Sequence, residues 1–190
     1  LEQGKGDIWD SGKIESDVSQ WIAYQGKTLK RNAPYYWKVK IDTNKGTTDW
    51  STPAFWTTGL FNEADWQGQW IGLDKAAPGD SETQWSRLAA RYLRKEFALK
   101  KEVKRATVHI AGMGLYELFI NGQRIGNQVL APAPTDYRKT ILYNTYDVTS
   151  LLQTENAIGV TLGNGRFYTM RQNYKPYKIP TFGYPKLRLN

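Results

Sequence analysis

A two-residue turn signal constrains the fold of this chain more than any other feature. Asn121-Gly122 lies within GLYELFINGQRIG (114–126), between two runs in which apolar and polar residues alternate. A type I′ turn needs positive φ at both central residues, and Asn-Gly tolerates this best. Strand alternation places Tyr116, Leu118 and Ile120 on one face of the first run. The stretch therefore predicts a tight antiparallel β-hairpin.

The same period-two alternation recurs along most of the chain. Runs of four to eight residues are separated by clusters of Gly, Pro, Asn and Asp, which is typical of short strands joined by turns. One short helix is predicted around Thr149 to Gln153, where the carboxylate of Asp147 can accept backbone N–H bonds. The pattern predicts an antiparallel β-sandwich. Its strands are expected at 7–10, 21–24, 36–41, 54–58, 91–97, 106–111, 115–120 and 157–162, with a further strand beginning at 184–190.

A change of pattern near residue 65 divides the chain. Residues 60–80 leave the strand alternation for a Trp-containing connector that ends in Ala-Ala-Pro-Gly-Asp. We therefore predict two domains, 1–64 and 65–190. The first offers about four strands where a complete β-sandwich of about 100 residues has about seven, and the last predicted strand stops without a turn. We expect both domains to be incomplete, and residues 1–60 to pack against the main domain, pair with a second copy or be poorly ordered.

Composition narrows the function classes. The absence of cysteine excludes disulfides and Cys-based zinc sites, and it is compatible with both a cytoplasmic and a secreted protein, so localisation stays unknown. No apolar run approaches the roughly 20 residues of a membrane span. The net charge of +8 is scattered, and its densest stretch (93–105) includes two Glu. This indicates a solvated surface, so neither nucleic acid nor membrane is predicted as a partner.

The sequence shows no catalytic apparatus. His109 is the sole histidine and lies mid-strand without a Ser or Cys partner, so we expect a partly exposed strand residue. The glycine pairs at 112–114 and 163–165 lack the Lys and the following helix of a phosphate loop, which indicates turns. No pair of acids stands out for glycoside chemistry, since Asp136 falls in a turn and Asp147 is explained by capping. No catalytic residue and no metal ligand are therefore predicted.

Several motifs follow one another along the chain. The motifs of the main domain are LRKEFALKKEVKRATVHIAGMGLYELFINGQRIG (93–126), VLAPAPTDY (129–137), YNTYDVTSLL (143–152) and ENAIGVTLGNGRFY (155–168). Upstream of these lie APYYWKVKIDTNKGTTDWSTPAFWTTGL (33–60) and DWQGQWIG (65–72). Taken together, the order and spacing of these motifs across residues 66–190 resemble the N-terminal β-sandwich domain of bacterial α-L-rhamnosidases, glycoside hydrolase family 78. The preceding residues resemble the end of the fibronectin-III-like module found before that domain.

The resemblance implies an all-β fold, with an antiparallel jelly-roll-like β-sandwich preceded by a partial fibronectin-III-like sandwich. It also implies a non-catalytic accessory region of a hydrolase, because the family carries its catalytic acids on a separate (α/α)₆ barrel. That barrel is inverting, with one carboxylic acid protonating the leaving oxygen and a carboxylate activating water. The barrel of the parent chain is then an expected partner, and the parent is expected in the periplasm or secreted.

Related sandwich domains bind terminal rhamnose, some of them with calcium, so the resemblance implies a carbohydrate partner. It leaves calcium open and implies no other cofactor. The chain departs from the family at two aromatic positions, since Pro134 and Arg166 stand where the family has Trp. The implied carbohydrate-binding residues lie in the loops after Leu130 and Leu162, and they are Asp136, Tyr137, Asn164, Arg166 and Tyr168.

Two other functions stay open alongside carbohydrate recognition. One is a purely structural β-sandwich spacer that supports the barrel and binds no ligand. The other is an independent enzyme, which the shortage of catalytic groups disfavours.

Overall fold

Nearly all regular structure in the chain is β-strand, which confirms the predicted all-β class. The computed structural model describes residues 5–18, 20–75, 88–168 and 182–190. Within these ranges the helical segments are two 3₁₀ turns, Glu63–Asp65 and Thr149–Leu151. No helix in the described residues is long and apolar enough to cross a membrane. The chain divides into two compact units, Leu1–Asp65 and Trp66–Asn190.

The first unit is built on one antiparallel ribbon. Strands β1 (Pro34–Trp37) and β4 (Ala54–Thr57) pair along their whole length, and β2 (Asp42–Thr43) and β3 (Gly46–Thr47) form a small hairpin between them. Facing aromatic rings support the ribbon, as Tyr35 stacks on Trp56 with centroids 5.3 Å apart. Such cross-strand aromatic pairs are a main source of sheet stability.

Three strand predictions for the first unit are wrong. Residues 7–10 and 21–24 form no strand, and the strand expected over 36–41 ends at Trp37. Beyond Trp37, the backbone N–H of Val39 bonds to the Oγ of Ser51 at 3.1 Å. A side-chain oxygen there accepts the hydrogen bond that a backbone carbonyl of a paired strand would accept. Alternation of apolar and polar residues alone did not predict which residues pair.

The second unit contains two four-stranded antiparallel sheets. The first sheet has the strand order β10-β7-β12-β5, and the second has the order β6-β11-β8-β9. The strands are β5 (Ile71–Gly72), β6 (Arg91–Ala98), β7 (Thr107–Met113), β8 (Leu115–Ile120), β9 (Gln123–Ile125), β10 (Tyr143–Asp147), β11 (Glu155–Gly163) and β12 (Lys186–Leu189).

A single apolar core lies between the two sheets. Ile110 and Leu187 enter it from the first sheet, and Leu118, Ile120 and Leu162 enter it from the second. All five side chains are almost completely buried. Burying each such side chain stabilises the fold by about 1.5–3 kcal/mol. This packing of two sheets is the predicted antiparallel sandwich.

The predicted hairpin is confirmed. Ile120 pairs with Gln123, which leaves Asn121 and Gly122 as a two-residue loop. Their φ angles are 51° and 82°, both positive as a type I′ turn requires. The loop therefore has the backbone that the Asn-Gly dipeptide predicts.

The predicted short helix is a single 3₁₀ turn, Thr149–Leu151. Asp147 precedes it, and its Oδ1 accepts a hydrogen bond from the backbone N–H of Thr149 at 3.0 Å and from the Thr149 hydroxyl at 2.7 Å. These hydrogen bonds lower the pKa of Asp147. Asp147 thus accepts one backbone N–H bond, as predicted, although the N-cap position is taken by Val148 and not by Asp147.

The expectation of a partly exposed His109 is wrong, because its side chain is only 1% exposed. Its Nδ1 lies 2.9 Å from the Oγ1 of Thr145 on the neighbouring strand β10. The ring of Tyr143 meets the imidazole edge-on at 5.8 Å, and Trp66 packs edge-on against Tyr143 at 5.4 Å. Trp66, which lies in the connector, thus helps to cover the outer face of the first sheet.

Candidate functional site

The two loops implied as the carbohydrate site come together in the structure. Tyr137, from the loop after Leu130, meets Phe167, from the loop after Leu162, edge-on at 5.2 Å. Phe182 completes an aromatic cluster, because it stacks on Phe167 at 5.9 Å and meets Tyr137 at 5.4 Å. The N–H of Phe182 also donates to the carbonyl of Phe167 at 2.9 Å. Two loops about 30 residues apart in sequence are therefore fixed against each other.

Asp136 lies in a turn, and its carboxylate is engaged locally. Its Oδ1 accepts a hydrogen bond from Nε of Arg138 at 3.1 Å, and Nζ of Lys139 lies 4.0 Å from Oδ2. The Arg138 hydrogen bond lowers the pKa of Asp136. Its carbonyl accepts from the N–H groups of Lys139 and Thr140. The carboxylate is thus an ionised acceptor that already has cationic partners.

Tyr137 and Arg166 are electrostatic neighbours. Burial raises the pKa of the Tyr137 phenol, and the positive charge of Arg166 opposes that rise. The Arg166 side chain is exposed. The two loops therefore present a partly buried phenol beside a solvent-facing guanidinium, which has several donors for hydroxyl groups.

The backbone N–H of Tyr168 donates to the carbonyl of Asn164 at 3.2 Å, while their side chains contact different neighbours. The Nδ2 of Asn164 donates to the carbonyl of Leu88 at 3.1 Å, and its buried Oδ1 has no hydrogen-bond partner among the described residues. The ring of Tyr168 stacks on Tyr184 at 5.9 Å with an interplanar angle of 25°. Of the five implied residues, Tyr137 and Tyr168 thus belong to aromatic contacts, and the amide of Asn164 is bonded to the backbone at Leu88.

A cavity of about 400 Å³ adjoins these aromatic contacts. Lys186 of β12 pairs with both Met113 and Gly72, so the strand ladder of the first sheet brings together residues that are far apart in sequence. Nζ of Lys186 lies 3.1 Å from Oδ2 of Asp74. The cavity is lined by Trp70, Asp74, Met113, Phe167, Phe182, Gly183, Tyr184 and Lys186.

The sequence did not predict this cavity. None of the residues that line it is among the five residues implied to bind carbohydrate. Trp70 lies in the motif DWQGQWIG but served only as a marker of the domain boundary. Lys186 lies in the last predicted strand, whose partner could not be read from the sequence. The available signal was Phe167, an aromatic residue between the implied residues Arg166 and Tyr168.

The described residues contain no group of three or more His, Cys, Asp or Glu side chains placed to hold a metal ion. Calcium prefers carboxylate and carbonyl oxygens. In the two loops Asp136 is paired with Arg138, and Asn164 contributes one unpartnered oxygen. The expectation of no other cofactor, with calcium left open, therefore stays a prediction.

Two family models match the chain. Residues 101–190 match the α-L-rhamnosidase N-terminal domain, and residues 1–62 match the Rha78A-like, N-terminal immunoglobulin domain. The first match agrees with the resemblance found in the motifs of the main domain. The second describes an immunoglobulin domain, so the fibronectin-III-like character of the first unit stays a prediction.

Individual proteins give the same result. An α-L-rhamnosidase of Formosa agariphila is 39% identical over 191 residues, which cover 92% of this chain and 20% of that protein. The structure of an α-L-rhamnosidase from Dictyoglumus thermophilum superposes with a TM-score of 0.80 at 40% identity, covering 99% of this chain and 21% of that one. The α-L-rhamnosidase of Aspergillus terreus gives a TM-score of 0.79 at 32% identity, covering 93% and 20%.

The chain spans about a fifth of the length of these relatives. Both matching family models describe N-terminal domains. Residues 101–190 therefore match the N-terminal domain of α-L-rhamnosidases, and the chain is similar to the N-terminal region of these proteins.

Proposed function

We propose that the chain is an accessory region of an α-L-rhamnosidase-like glycoside hydrolase and recognises rhamnose-containing carbohydrate. The observation that carries this proposal is the contact between Tyr137 and Phe167, which joins the two implied loops into one surface. A sugar needs a flat aromatic group for its C–H face and fixed polar groups for its hydroxyls. The joined loops supply the ring of Tyr137 with the exposed guanidinium of Arg166 as its electrostatic neighbour.

The catalytic step belongs, in this proposal, to the rest of the parent protein. Its catalytic barrel would carry an acid that protonates the leaving oxygen and a carboxylate that activates water. The accessory region would hold rhamnose-containing substrate close to that barrel. Holding two binding sites on one chain raises the effective concentration of substrate at the second, so even a weak accessory site contributes to capture.

A structural role without ligand is the second candidate. The observation that favours it is the engagement of Asp136 by Arg138 and Lys139, which shows that this implied residue has a role in its own turn. Packing of Tyr137 into the aromatic cluster points the same way. In this case the second unit would act as a spacer that supports the parent's barrel.

Calorimetric titration of the chain with methyl α-L-rhamnoside separates the two candidates. Recognition predicts binding with a dissociation constant of about 1 mM or lower, equivalent to roughly 4 kcal/mol. Arg166→Ala should weaken it at least tenfold. Arg94→Ala is the matched control, because Arg94 is an exposed arginine on β6 that pairs with Glu96. No heat with any rhamnoside at millimolar concentration would support the spacer.

A further inference from the structure

The positive charge of the chain is concentrated in its second unit. Of the 26 Lys and Arg residues, 18 lie within Trp66–Asn190, together with 9 of the 18 Asp and Glu residues. The first unit holds the remaining 8 basic and 9 acidic residues, so its basic and acidic side chains nearly balance. A surface with an excess of one sign attracts ligands of the opposite sign and raises their local concentration. The second unit is therefore the part of the chain suited to an anionic ligand.

The two joined loops share this excess of positive charge. Residues 131–142 and 163–168 contain three basic side chains, Arg138, Lys139 and Arg166, and one acid, Asp136. The side chains of Arg138 and Lys139 are 76% and 80% exposed, and Arg166 is also exposed. All three cations are thus accessible to a ligand from solvent.

Asp136 offsets only part of this charge. Its Oδ1 accepts a hydrogen bond from Nε of Arg138 at 3.1 Å, and its Oδ2 lies 4.0 Å from Nζ of Lys139. An exposed ion pair contributes little free energy, so it does not hold either cation away from a ligand. The contact through Nε also leaves the two terminal nitrogens of the Arg138 guanidinium to donate to an oxyanion.

The cations surround the ring on which the proposed function depends. Arg138 and Lys139 directly follow Tyr137 in the chain, and the positive charge of Arg166 reaches the Tyr137 phenol from the other loop. Phe167 holds the Tyr137 ring through their edge-on contact at 5.2 Å. A sugar lying at Tyr137 would therefore meet positive charge from both loops.

We propose that the glycan recognised on these loops is anionic, with a carboxylate or sulfate group bound by the cations around Tyr137. This inference rests on the proposed function and names the class of carbohydrate. A uronic acid residue and a sulfate ester present the same chemistry, because each carries oxygens that accept N–H bonds from guanidinium and ammonium groups.

Calorimetric titrations with three methyl glycosides test the inference. They are methyl α-L-rhamnoside, its monosulfate, and the methyl glycoside of a disaccharide of rhamnose and a uronic acid. In about 0.02 M NaCl, at least one anionic glycoside should bind tenfold or more tightly than the neutral one. Raising NaCl to about 0.3 M shortens the Debye length to roughly 6 Å and should remove most of this preference.

The variant Lys139→Gln tests the position of the anionic group. It should weaken binding of the anionic glycosides at least threefold more than binding of the neutral one, with an unchanged melting temperature because Lys139 is exposed. Lys95→Gln is the matched control, because it removes an exposed lysine on β6 and changes the net charge equally. Equal weakening by the two variants would overturn the assignment of the anionic group to the loops.

The remaining outcomes separate the inference from the proposed function. Equal binding of neutral and anionic rhamnosides would overturn the inference and leave the proposed function standing. The inference would also fail if a methyl galactoside monosulfate or a short single-stranded DNA bound as tightly as the rhamnoside monosulfate, since the loops would then attract any anion. Absence of binding to all three rhamnosides would overturn both.

Discussion

Asn121 donates from Nδ2 to the Oδ1 of Asn156 at 3.0 Å, which joins two residues 35 positions apart. Asn156 is 4% exposed, and its amide also bonds the backbone of Gln153 in both directions, at 2.8 and 2.6 Å. The Oδ1 of Asn121 accepts from the N–H of Ala157 at 2.9 Å. One residue of the hairpin turn thus ties β8 and β9 to the beginning of β11.

Removing the Asn156 amide should destabilise the second unit. We expect Asn156→Ala to lower the free energy of unfolding by about 1–3 kcal/mol, because it leaves the N–H of Gln153 without its acceptor. Urea unfolding followed by tryptophan fluorescence measures this. Asn127→Ala, at an exposed position, is the matched control and should change little. Equal stability of the two variants would show that the Asn121–Asn156 link is dispensable.

The turn itself offers a second prediction. Gly122 has φ of 82°, and a Cβ placed there would have nothing within 4 Å. Gly122→Val should therefore cost about 1 kcal/mol or more from backbone strain alone, since β-branched residues resist positive φ. Gly122→Asn should cost less, because Asn tolerates this region. An unchanged melting temperature for the Val variant would contradict the turn assignment.

His109 should make the chain less stable in mild acid. Burial lowers the pKa of its imidazole below 6.5, and the positive charge of Arg105 lowers it further. The unfolded chain therefore binds a proton at a higher pH than the folded chain. Stability is unaffected above about pH 7.5 and falls as the pH drops through 6.5, by at most about 1.4 kcal/mol per pH unit.

The variant His109→Gln isolates this effect, because the chain has no other histidine. We expect the variant to show a flatter stability profile between pH 5.5 and 7.5 than the wild type, whatever its absolute stability. Urea midpoints at four pH values across this range provide the measurement. Parallel profiles would mean that the buried imidazole is protonated without cost.

The chain alone should not hydrolyse an aryl α-L-rhamnoside. The reason is that inverting hydrolysis needs two carboxyl groups facing one cleft, about 6.5–9.5 Å apart, and the two family models that match this chain describe N-terminal domains. Release of the aryl group is followed by absorbance with purified chain. Hydrolysis that disappears on substituting one carboxylate of this chain would contradict its assignment as non-catalytic.

The sequence predicted features that depend on neighbouring residues. The hairpin at Asn121-Gly122 follows from the φ preferences of two residues, and the hydrogen bonds of Asp147 follow from its position just before Thr149. Strand β8 was predicted at its observed bounds, Leu115–Ile120. The alternation placed Tyr116, Leu118 and Ile120 on one face, and all three are buried. In each case the determining interactions are local or repeat with the strand period.

Features that depend on distant residues were missed. His109 was expected to be partly exposed. The alternation of residues in β7 cannot show that Trp66 and Tyr143 cover the outer face of the sheet. The cavity needs Trp70 and Lys186 to meet through the pairing of β5 with β12. Strand order in a sandwich is set by the packing of the whole domain. No local sequence pattern therefore predicts that β5 pairs with β12.

Backbone amide NMR shifts during titration with L-rhamnose test carbohydrate recognition most directly. The account predicts shifts concentrated in residues 131–142, 163–168 and 182–184. The shifts should saturate at millimolar sugar, as expected for a weak single-ring site. Absence of shifts at millimolar sugar, or shifts confined to residues 5–60, would contradict the claim that the second unit recognises rhamnose.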